Sequence, residues 1–514
     1  MKMSLPALQD KEASPLRLRQ IFGGRYLWLL LLYSVLLLSI TGIIAARRHL
    51  WWDEIEVYYV VILPNLKAVW HALLSGVDLQ PPTYYLPLYY LVKWFGASSF
   101  VLRSIAIIPY WLATLVLYVI VARRTTALYG FVAMLFPSLT LAFSYAFEAR
   151  PYGLVLLFTA CAFLFWQLTH EKQYRRFALP ALALSVGADF AVHYIACLVA
   201  LPLLTGEAIL AVRRRAFDFA VFLALCCGAL PAIFLLPHIL ALGHFPAPIS
   251  NPGLAGVYNA LFFRPVLLSF VISAALAVRL ALAREIHSDR KGSVNEFQTL
   301  PLAVAGTFLL VPCTYYPISY VTHVYYPRYV LETVIGAAIF LALLLHGARL
   351  TFPHLASALL VIFIAIVALD MVKRLRAPDD LGWGTFAEYA ELFNPGTKEL
   401  TASQDPIVLG PGAYLVVLRY GDPHLVRRSF YLLPNSHWSA AGAFLFQRDY
   451  YTAFETALPG RMQIADYESF IHRYHHFQIY EPWPWLLNRL LADGQDLKIQ
   501  AFLEHGPLYS VVVK

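Results

Sequence analysis

The chain has 514 residues, of which 60% are hydrophobic, 15% aromatic and only 14% charged, and its mean hydropathy is +0.62. Soluble proteins carry close to a quarter charged residues, so this composition predicts a membrane protein. The net charge of +8 does not indicate a nucleic-acid partner, because the basic residues stand in short clusters between apolar runs, as topology signals do. The five cysteines lie in apolar stretches without metal-type pairing.

The first apolar run sets the topology. Residues 1–25 are polar and basic, which predicts a cytoplasmic N-terminal segment. Residues 26–46 are long enough to span the bilayer and lead into a first outer loop, residues 47–100. In this loop, residues 55–75 have apolar residues at helical spacing mixed with polar ones, which predicts an amphipathic helix lying on the membrane.

A short aromatic helix follows Gln80-Pro81-Pro82, at residues 83–95. If it lies on the membrane, residues 101–122 return the chain and bring Arg123-Arg124 to the cytoplasm, as the positive-inside rule requires. If it crosses the membrane, Arg123-Arg124 and the later basic clusters all lie outside the cytoplasm, against that rule. We therefore take 83–95 as interfacial.

The later apolar runs then alternate outward and inward. They are 126–146, 151–168, 177–191, 195–212, 218–241, 259–283, 299–316, 329–346 and 353–371, separated among others by a Pro- and Gly-rich loop at 242–258 and a charged loop at 284–296. Together they predict a polytopic α-helical membrane domain, residues 26–371, with about eleven spans of roughly twenty residues each.

The composition changes after Lys373, and residues 372–514 have no spanning run. Strand-like runs at 406–409, 429–433, 497–503 and 508–513 and helix-like runs at 412–418 and 485–492 predict a soluble α/β domain. The topology places this C-terminal domain on the extracytoplasmic side.

Four separate parts of the chain bring polar residues to that same outer side. They are Asp53-Glu54, the stretch Glu148 to Gly153, His193-Tyr194 and the stretch Tyr315 to Tyr329. Ionisable residues gathered at the ends of spans predict a functional site. Arginines suit a lipid phosphate, a carboxylate suits deprotonation of a hydroxyl, and tyrosines suit a sugar ring.

Structural alternatives exist for each element. Arg150 has Glu148 within reach as an ion-pair partner, and a single histidine such as His193 is commonly a core residue. Arg328 and Arg103 both fit the role of anchors at span ends, and the tyrosines of 84–90 fit an interfacial belt. The combination on one face favours the functional interpretation.

These stretches resemble the GT-C glycosyltransferases. The resemblance rests on Asp53-Glu54, Gln80 to Tyr85, Phe100 to Ser104 and Glu148 to Gly153, with weaker matches at His193-Tyr194 and Pro327 to Tyr329. It covers about residues 20–370. The branch it is most similar to contains the dolichyl-phosphate-mannose protein mannosyltransferases and the lipid A aminoarabinose transferases.

The resemblance implies an inverting transfer of a monosaccharide from a polyprenyl-phosphate donor to a protein, lipid or glycan acceptor. It implies catalytic roles for Asp53, as the base, and for Glu54 and Glu148. Residues expected to bind the donor's phosphate or sugar are Tyr84, Tyr85, Arg150, Tyr152, His193, Tyr194, Arg328 and Tyr329.

Two alternatives stay open. The family that the chain resembles has members with and without a divalent metal. The candidate ligands in this sequence are Glu54, Glu148 and His193. We expect no tightly bound metal. A transporter or flippase of lipid-linked sugars is the second function class, but it predicts internal repeats and charges near the bilayer midplane, and the sequence has neither pattern.

Overall fold

The structure is a computed structural model that describes residues 22–242, 252–262, 296–322, 324–349, 403–433, 462–480, 484–503 and 506–514, with a few single positions between them. Most of the predicted N-terminal segment 1–25, of the runs 259–283 and 353–371 and of the loop 284–296 lies outside these residues.

Helices make up nearly all of the described chain before residue 350. In chain order they are α1 (Arg25–Arg47), α2 (Trp52–Val61), α3 (Leu66–Leu74), α4 (Pro82–Phe95), α5 (Ser99–Ala122), α6 (Ala127–Leu135), α7 (Tyr152–Thr169), α8 (Arg175–Val192), α9 (Ala200–Arg214), α10 (Phe219–Cys227), α11 (Pro231–Leu242), α12 (Gly253–Phe262), α13 (Glu296–Phe308), α14 (Val311–Thr322) and α15 (Glu332–Arg349). Short 3₁₀ turns cover Phe136–Leu139, Leu141–Phe147, Tyr194–Val199 and Pro327–Val330.

Six helical segments of the described residues are long and apolar enough to cross a membrane. They are Arg25–Arg47, Ser99–Ala122, Tyr152–Thr169, Tyr194–Arg214, Phe219–Ala241 and Leu300–Tyr320. The bent pair Ala127–Leu139 and Leu141–Phe147 makes a seventh if it is one span. The chain is therefore an integral membrane protein, while the expected count of about eleven spans is not confirmed by the described residues.

Three predicted elements differ in detail. The expected single helix at 55–75 is two helices, because Pro64 breaks the run and the Asn65 side chain accepts a hydrogen bond from the Ala68 N–H at 2.9 Å to begin α3. The expected span at 126–146 is bent by 77° at Thr140, between the segments Ala127–Leu139 and Leu141–Phe147. The expected loop at 242–258 contains the beginning of α12.

The described C-terminal residues contain a six-stranded mixed sheet. Its strands are β1 (Ile407–Leu409), β2 (Ser429–Leu433), β3 (Ile464–Asp466), β4 (His476–Tyr480), β5 (Asp496–Leu503) and β6 (Gly506–Val512), in the order β3-β2-β1-β4-β6-β5. The first four strands of that order are parallel, and β6 is antiparallel to both of its neighbours, β4 and β5. Helices α16 (Pro411–Tyr420), α17 (Pro423–Arg428), α18 (Tyr467–Arg473) and α19 (Pro484–Ala492) connect them.

The sequence missed the short strands β3 and β4, whereas β2 lies at the predicted 429–433. With only three residues, β3 carries too little alternation to be recognised. The division of the chain at residue 372 into two domains stays a prediction.

One buried apolar cluster joins the first outer loop to the C-terminal sheet. It contains Ile55 and Val60 of α2, Tyr85 of α4, and Tyr414 and Val417 of α16. The loop therefore packs against α5, which contributes Leu102 to the same cluster, and against the C-terminal segment.

Candidate active site

Asp53 lies at the meeting point of three distant parts of the chain. It follows the N-cap residue Trp51 in the first turn of α2, and its side chain is 21% exposed. Its Oδ2 lies 3.2 Å from Nη1 of Arg328 and 3.5 Å from Nη2 of Arg150. Two arginines from sequence positions far apart therefore face one accessible carboxylate.

Asp78, which the sequence analysis missed, holds Arg150 in place. Arg150 Nη1 donates to Asp78 Oδ2 at 2.8 Å, and the Tyr85 hydroxyl donates to the same oxygen. The Gln80 N–H donates to Asp78 Oδ1 at 3.2 Å. The signal available in the sequence was an acid two residues before Gln80-Pro81-Pro82.

The charge of Arg150 is set by these acids. Burial by itself would lower its pKa, but Asp78 and Asp53 raise it above the usual value, so the guanidinium stays charged. The ion pair with Glu148 that the sequence left open does not form, because the Arg150 side chain pairs with Asp78 and Asp53 instead. Arg150 thus connects two carboxylates of the first outer loop.

Glu54 is fully buried, and both its oxygens are used within the protein. It accepts from Arg103 Nε at 2.7 Å and Nη2 at 2.6 Å, from the Ala149 N–H at 2.7 Å and from the Trp51 N–H at 3.3 Å. Burial would raise its pKa, but the charges of Arg103 and Arg48 lower it, so Glu54 is ionised. This geometry suits a residue that positions Asp53 better than one that exchanges protons.

Arg103 lies at a span end as expected, and it is also the centre of a hydrogen-bond network. Besides Glu54, its guanidinium donates to the carbonyls of Ala45 at 2.8 Å, Arg48 at 2.6 Å and His49 at 2.8 Å. All five of its N–H groups therefore have an acceptor. The chain leaving α1 is fastened to α5 at this point.

Glu148 is fully buried, and neither of its side-chain oxygens has a hydrogen-bond partner in the described residues. Arg48 Nη1 lies 3.6 Å from Glu148 Oε1, too far for a hydrogen bond. Burial and the carboxylates of Glu54 and Asp53 raise the pKa of Glu148 to about 7, although Arg48 opposes this. The group is suited to receive or give a hydrogen bond to a bound hydroxyl.

We expect Glu148→Gln to remove a pH dependence of stability. The folded-state pKa of Glu148 is raised from 4.5 to about 7. Protonated Glu148 therefore contributes fully to the free energy of unfolding below pH 4.5, and this contribution is lost as the pH rises through 7. This shift corresponds to about 3 kcal/mol. Thermal unfolding in detergent at pH 5 and pH 8 should show the variant gaining stability relative to wild type at pH 8. An equal difference at both pH values would contradict the assignment.

His193 is packed between two tyrosine rings of the site. The His193 ring centroid lies 5.2 Å from that of Tyr329 and 5.6 Å from that of Tyr152. Burial, together with Arg150 and Arg328, lowers the pKa of His193 to about 3, so its imidazole is neutral. The hydroxyls of Tyr84 and Tyr152 are buried without a hydrogen-bond partner in the described residues.

Tyr194 is half-buried and lies edge-on to Phe190, with ring centroids 6.2 Å apart. It begins the 3₁₀ turn Tyr194–Val199.

The residues considered for a metal do not fit one. Among the described residues, no group of three or more His, Cys, Asp and Glu side chains is arranged to hold a metal ion. Glu54, conceivable as a ligand together with Glu148 and His193, has its oxygens engaged by Arg103 and backbone N–H groups.

With this geometry in place, the fold can be compared with known proteins. No protein-family model matches the chain, and no curated protein matches it in sequence. Among solved structures, the chain is similar in fold to proteins of the GT-C fold, so the expected resemblance is confirmed for the fold alone.

One similar solved structure is ArnT from Cupriavidus metallidurans bound to undecaprenyl phosphate. It is 13% identical, with a TM-score of 0.51, over 95% of this chain and 98% of that one. The Archaeoglobus fulgidus oligosaccharyltransferase complex with Zn and sulfate also matches, at 10% identity and a TM-score of 0.44, over 88% of this chain and 67% of that one.

Proposed function

We propose that this chain is a membrane glycosyltransferase that moves a monosaccharide from a polyprenyl-phosphate donor to a protein, lipid or glycan acceptor. The observation that carries the proposal is Asp53, an accessible carboxylate facing Arg150 and Arg328. Such an arrangement joins a base to cations that suit a phosphate. The ArnT structure of the same fold contains undecaprenyl phosphate, which supports a polyprenyl-phosphate donor.

The proposed topology is the one the charge pattern predicts. The protein has about eleven spans in the inner membrane, and the site and C-terminal segment are extracytoplasmic. A donor anchored by its lipid chain then presents its sugar and phosphate at the outer ends of the spans.

The proposed step is an inverting displacement. The acceptor hydroxyl attacks the anomeric carbon from the face opposite the phosphate, the carbon–oxygen bond to the phosphate breaks, and the polyprenyl phosphate leaves with the bonding electrons. Asp53 takes the hydroxyl proton. The sugar hydroxyls meet the unpartnered hydroxyls of Tyr84 and Tyr152 and the carboxyl of Glu148.

Arg150 and Arg328 have different roles in the proposed reaction. Arg150 is tied to Asp78 at 2.8 Å as well as to Asp53, so it orients the carboxylate. Arg328 lies over the rings of Tyr326 and Tyr329, at 4.6 and 5.7 Å, and its side chain is 17% exposed. We assign the donor phosphate to Arg328, which exchanges its contact with Asp53 for the phosphate and so frees the base.

Arg328→Ala should weaken donor binding, because a charge-assisted contact with the phosphate is lost. We expect the donor KM to rise on the order of 10-fold or more while kcat at saturating donor falls less, since such a contact is worth about 1.5–3 kcal/mol. Initial rates over a donor titration provide the measurement. Arg213→Ala, at an exposed position near the end of α9, is the control for loss of one positive charge. An unchanged donor KM in Arg328→Ala would remove the phosphate assignment.

Donor turnover by purified protein in nanodiscs tests the function itself. A panel of radiolabelled polyprenyl-phosphate monosaccharides is offered with lipid, glycan and peptide acceptors, and release of free polyprenyl phosphate is measured. Turnover of one donor establishes the enzyme class and its sugar. If none turns over and lipid-linked sugar instead crosses sealed vesicles, the transporter alternative replaces the proposal.

A further inference from the structure

We propose that Tyr420, in the C-terminal segment, is a positioning residue for the catalytic base, a role that rests on the proposed function. Tyr420 ends helix α16, some 370 residues away from the loop that it contacts. The sequence analysis assigned no role to this part of the chain.

The contact is a hydrogen bond to the backbone of the first outer loop. The Leu50 N–H donates to the Tyr420 hydroxyl at 2.8 Å. The Tyr420 ring also lies edge-on to His49, with ring centroids 5.0 Å apart. Leu50 is 2% exposed, so its N–H is removed from water and depends on a partner inside the protein.

Arg103 also bonds the backbone of this segment, residues 48–50. Its guanidinium donates to the carbonyls of Arg48 at 2.6 Å and His49 at 2.8 Å. The carbonyls of Arg48 and His49 are therefore fixed by α5, and the N–H of Leu50 is fixed by α16. This segment leads directly into Trp51, whose N–H is bonded by Glu54, and then into Asp53.

A second contact ties α16 to the helix that carries Asp53. The Arg419 guanidinium lies 4.4 Å from the centroid of the Tyr58 ring, and Tyr58 belongs to α2. Ala413 and Val417 of α16 share a buried apolar cluster with Ile55 and Val60 of α2. The C-terminal segment therefore covers the base-bearing helix along its length, and Tyr420 fixes the point where that helix begins.

The rate of the proposed reaction depends on the exact position of the Asp53 carboxylate. A displacement of about 1 Å in a reacting group can cost on the order of 100-fold in rate. Loss of the Tyr420 hydroxyl leaves the Leu50 N–H buried without its acceptor and allows the start of α2 to shift. Because Arg328 belongs to the separate turn Pro327–Val330, which does not depend on the start of α2 for its backbone, the donor phosphate should bind as before.

The test compares two tyrosines of the same helix in the full-length protein. Tyr420→Phe removes the hydroxyl that reaches the loop, whereas Tyr414→Phe removes a hydroxyl that is hydrogen-bonded to the backbone of Gln463 in the C-terminal segment, at 2.7 and 3.1 Å. We expect Tyr420→Phe to lower kcat about 10-fold with donor KM unchanged within about 2-fold, and Tyr414→Phe to keep both. Equal kcat in Tyr420→Phe and wild type, or an equal loss in both variants, would overturn the proposal.

A readout independent of turnover separates this inference from the proposed function. Hydrogen exchange of the backbone in a peptide covering residues 48–56 should accelerate in Tyr420→Phe and stay at the wild-type rate in Tyr414→Phe. If no donor turns over but this exchange pattern appears, the contact is established while the glycosyltransferase assignment fails. If the exchange in 48–56 is the same in both variants, Tyr420 does not position the loop.

Discussion

Asp53→Asn should lower kcat by about 10²- to 10⁴-fold, the range typical of losing a general base. The substitution keeps the size and shape of the side chain but leaves an amide that cannot accept the acceptor's proton. Donor affinity should change little, because Arg150 keeps Asp78 as a partner and Arg328 remains available to the phosphate. Release of polyprenyl phosphate under saturating donor and acceptor is the measurement.

The matched control is Asp496→Asn, which makes the same change at a half-exposed carboxylate on β5. It should leave turnover unchanged. The pH profile provides a second readout, since a base that must be ionised produces a fall in kcat/KM toward low pH. Rates within a few-fold of wild type in a folded Asp53→Asn protein would exclude Asp53 as the base.

Arg103→Leu should destabilise the protein by about 3–5 kcal/mol, because it leaves the Glu54 carboxylate charged and unpaired in the interior. Both side chains of this pair are 0% exposed, and the two N–O distances are 2.6 and 2.7 Å. Arg103→Lys should cost nearly as much, since an ammonium cannot reproduce the fork or reach the three backbone carbonyls. The midpoint of thermal unfolding in detergent is the measurement.

Arg175→Leu is the control for this prediction. Arg175 makes the same two-pronged contact with Asp218, at 2.7 and 2.8 Å, but these side chains are 34% and 22% exposed. Such an accessible pair contributes about 0–1 kcal/mol, so its loss should shift the midpoint only slightly. Equal shifts in Arg103→Leu and Arg175→Leu would show that burial of the Glu54 pair has no special energetic weight.

The position of the candidate site could be predicted because its residues stand at the ends of apolar runs. Asp53, Arg150, His193 and Arg328 are all beside recognisable helices, so charge counting alone places them on one face. In the structure Arg150 and Arg328 both contact Asp53, and the His193 ring lies beside those of Tyr152 and Tyr329. Which of the two adjacent acids is accessible was not predictable, because Asp53 and Glu54 have the same local sequence context.

The contacts of the first outer loop with distant residues could be identified only in the folded chain. Asp78 has no periodic pattern around it that would identify a partner, and its pairing with Arg150 depends on a contact 72 residues along the chain. The contact of Tyr420 with Leu50 spans 370 residues. Pairings between distant residues are decided by packing, which a single sequence does not reveal.

By itself, the sequence determined that this is a membrane protein, roughly where its helices run, and which stretches carry charged groups at their ends. These properties follow from hydrophobicity and charge, which act locally and leave a visible pattern along the chain. Only the tertiary structure decided that Glu54 is sequestered by Arg103 and Ala149, and that Asp53 is left accessible to Arg328. The reason is physical: a buried carboxylate must find donors, and the donors that satisfy Glu54 come from parts of the chain that meet only when it folds.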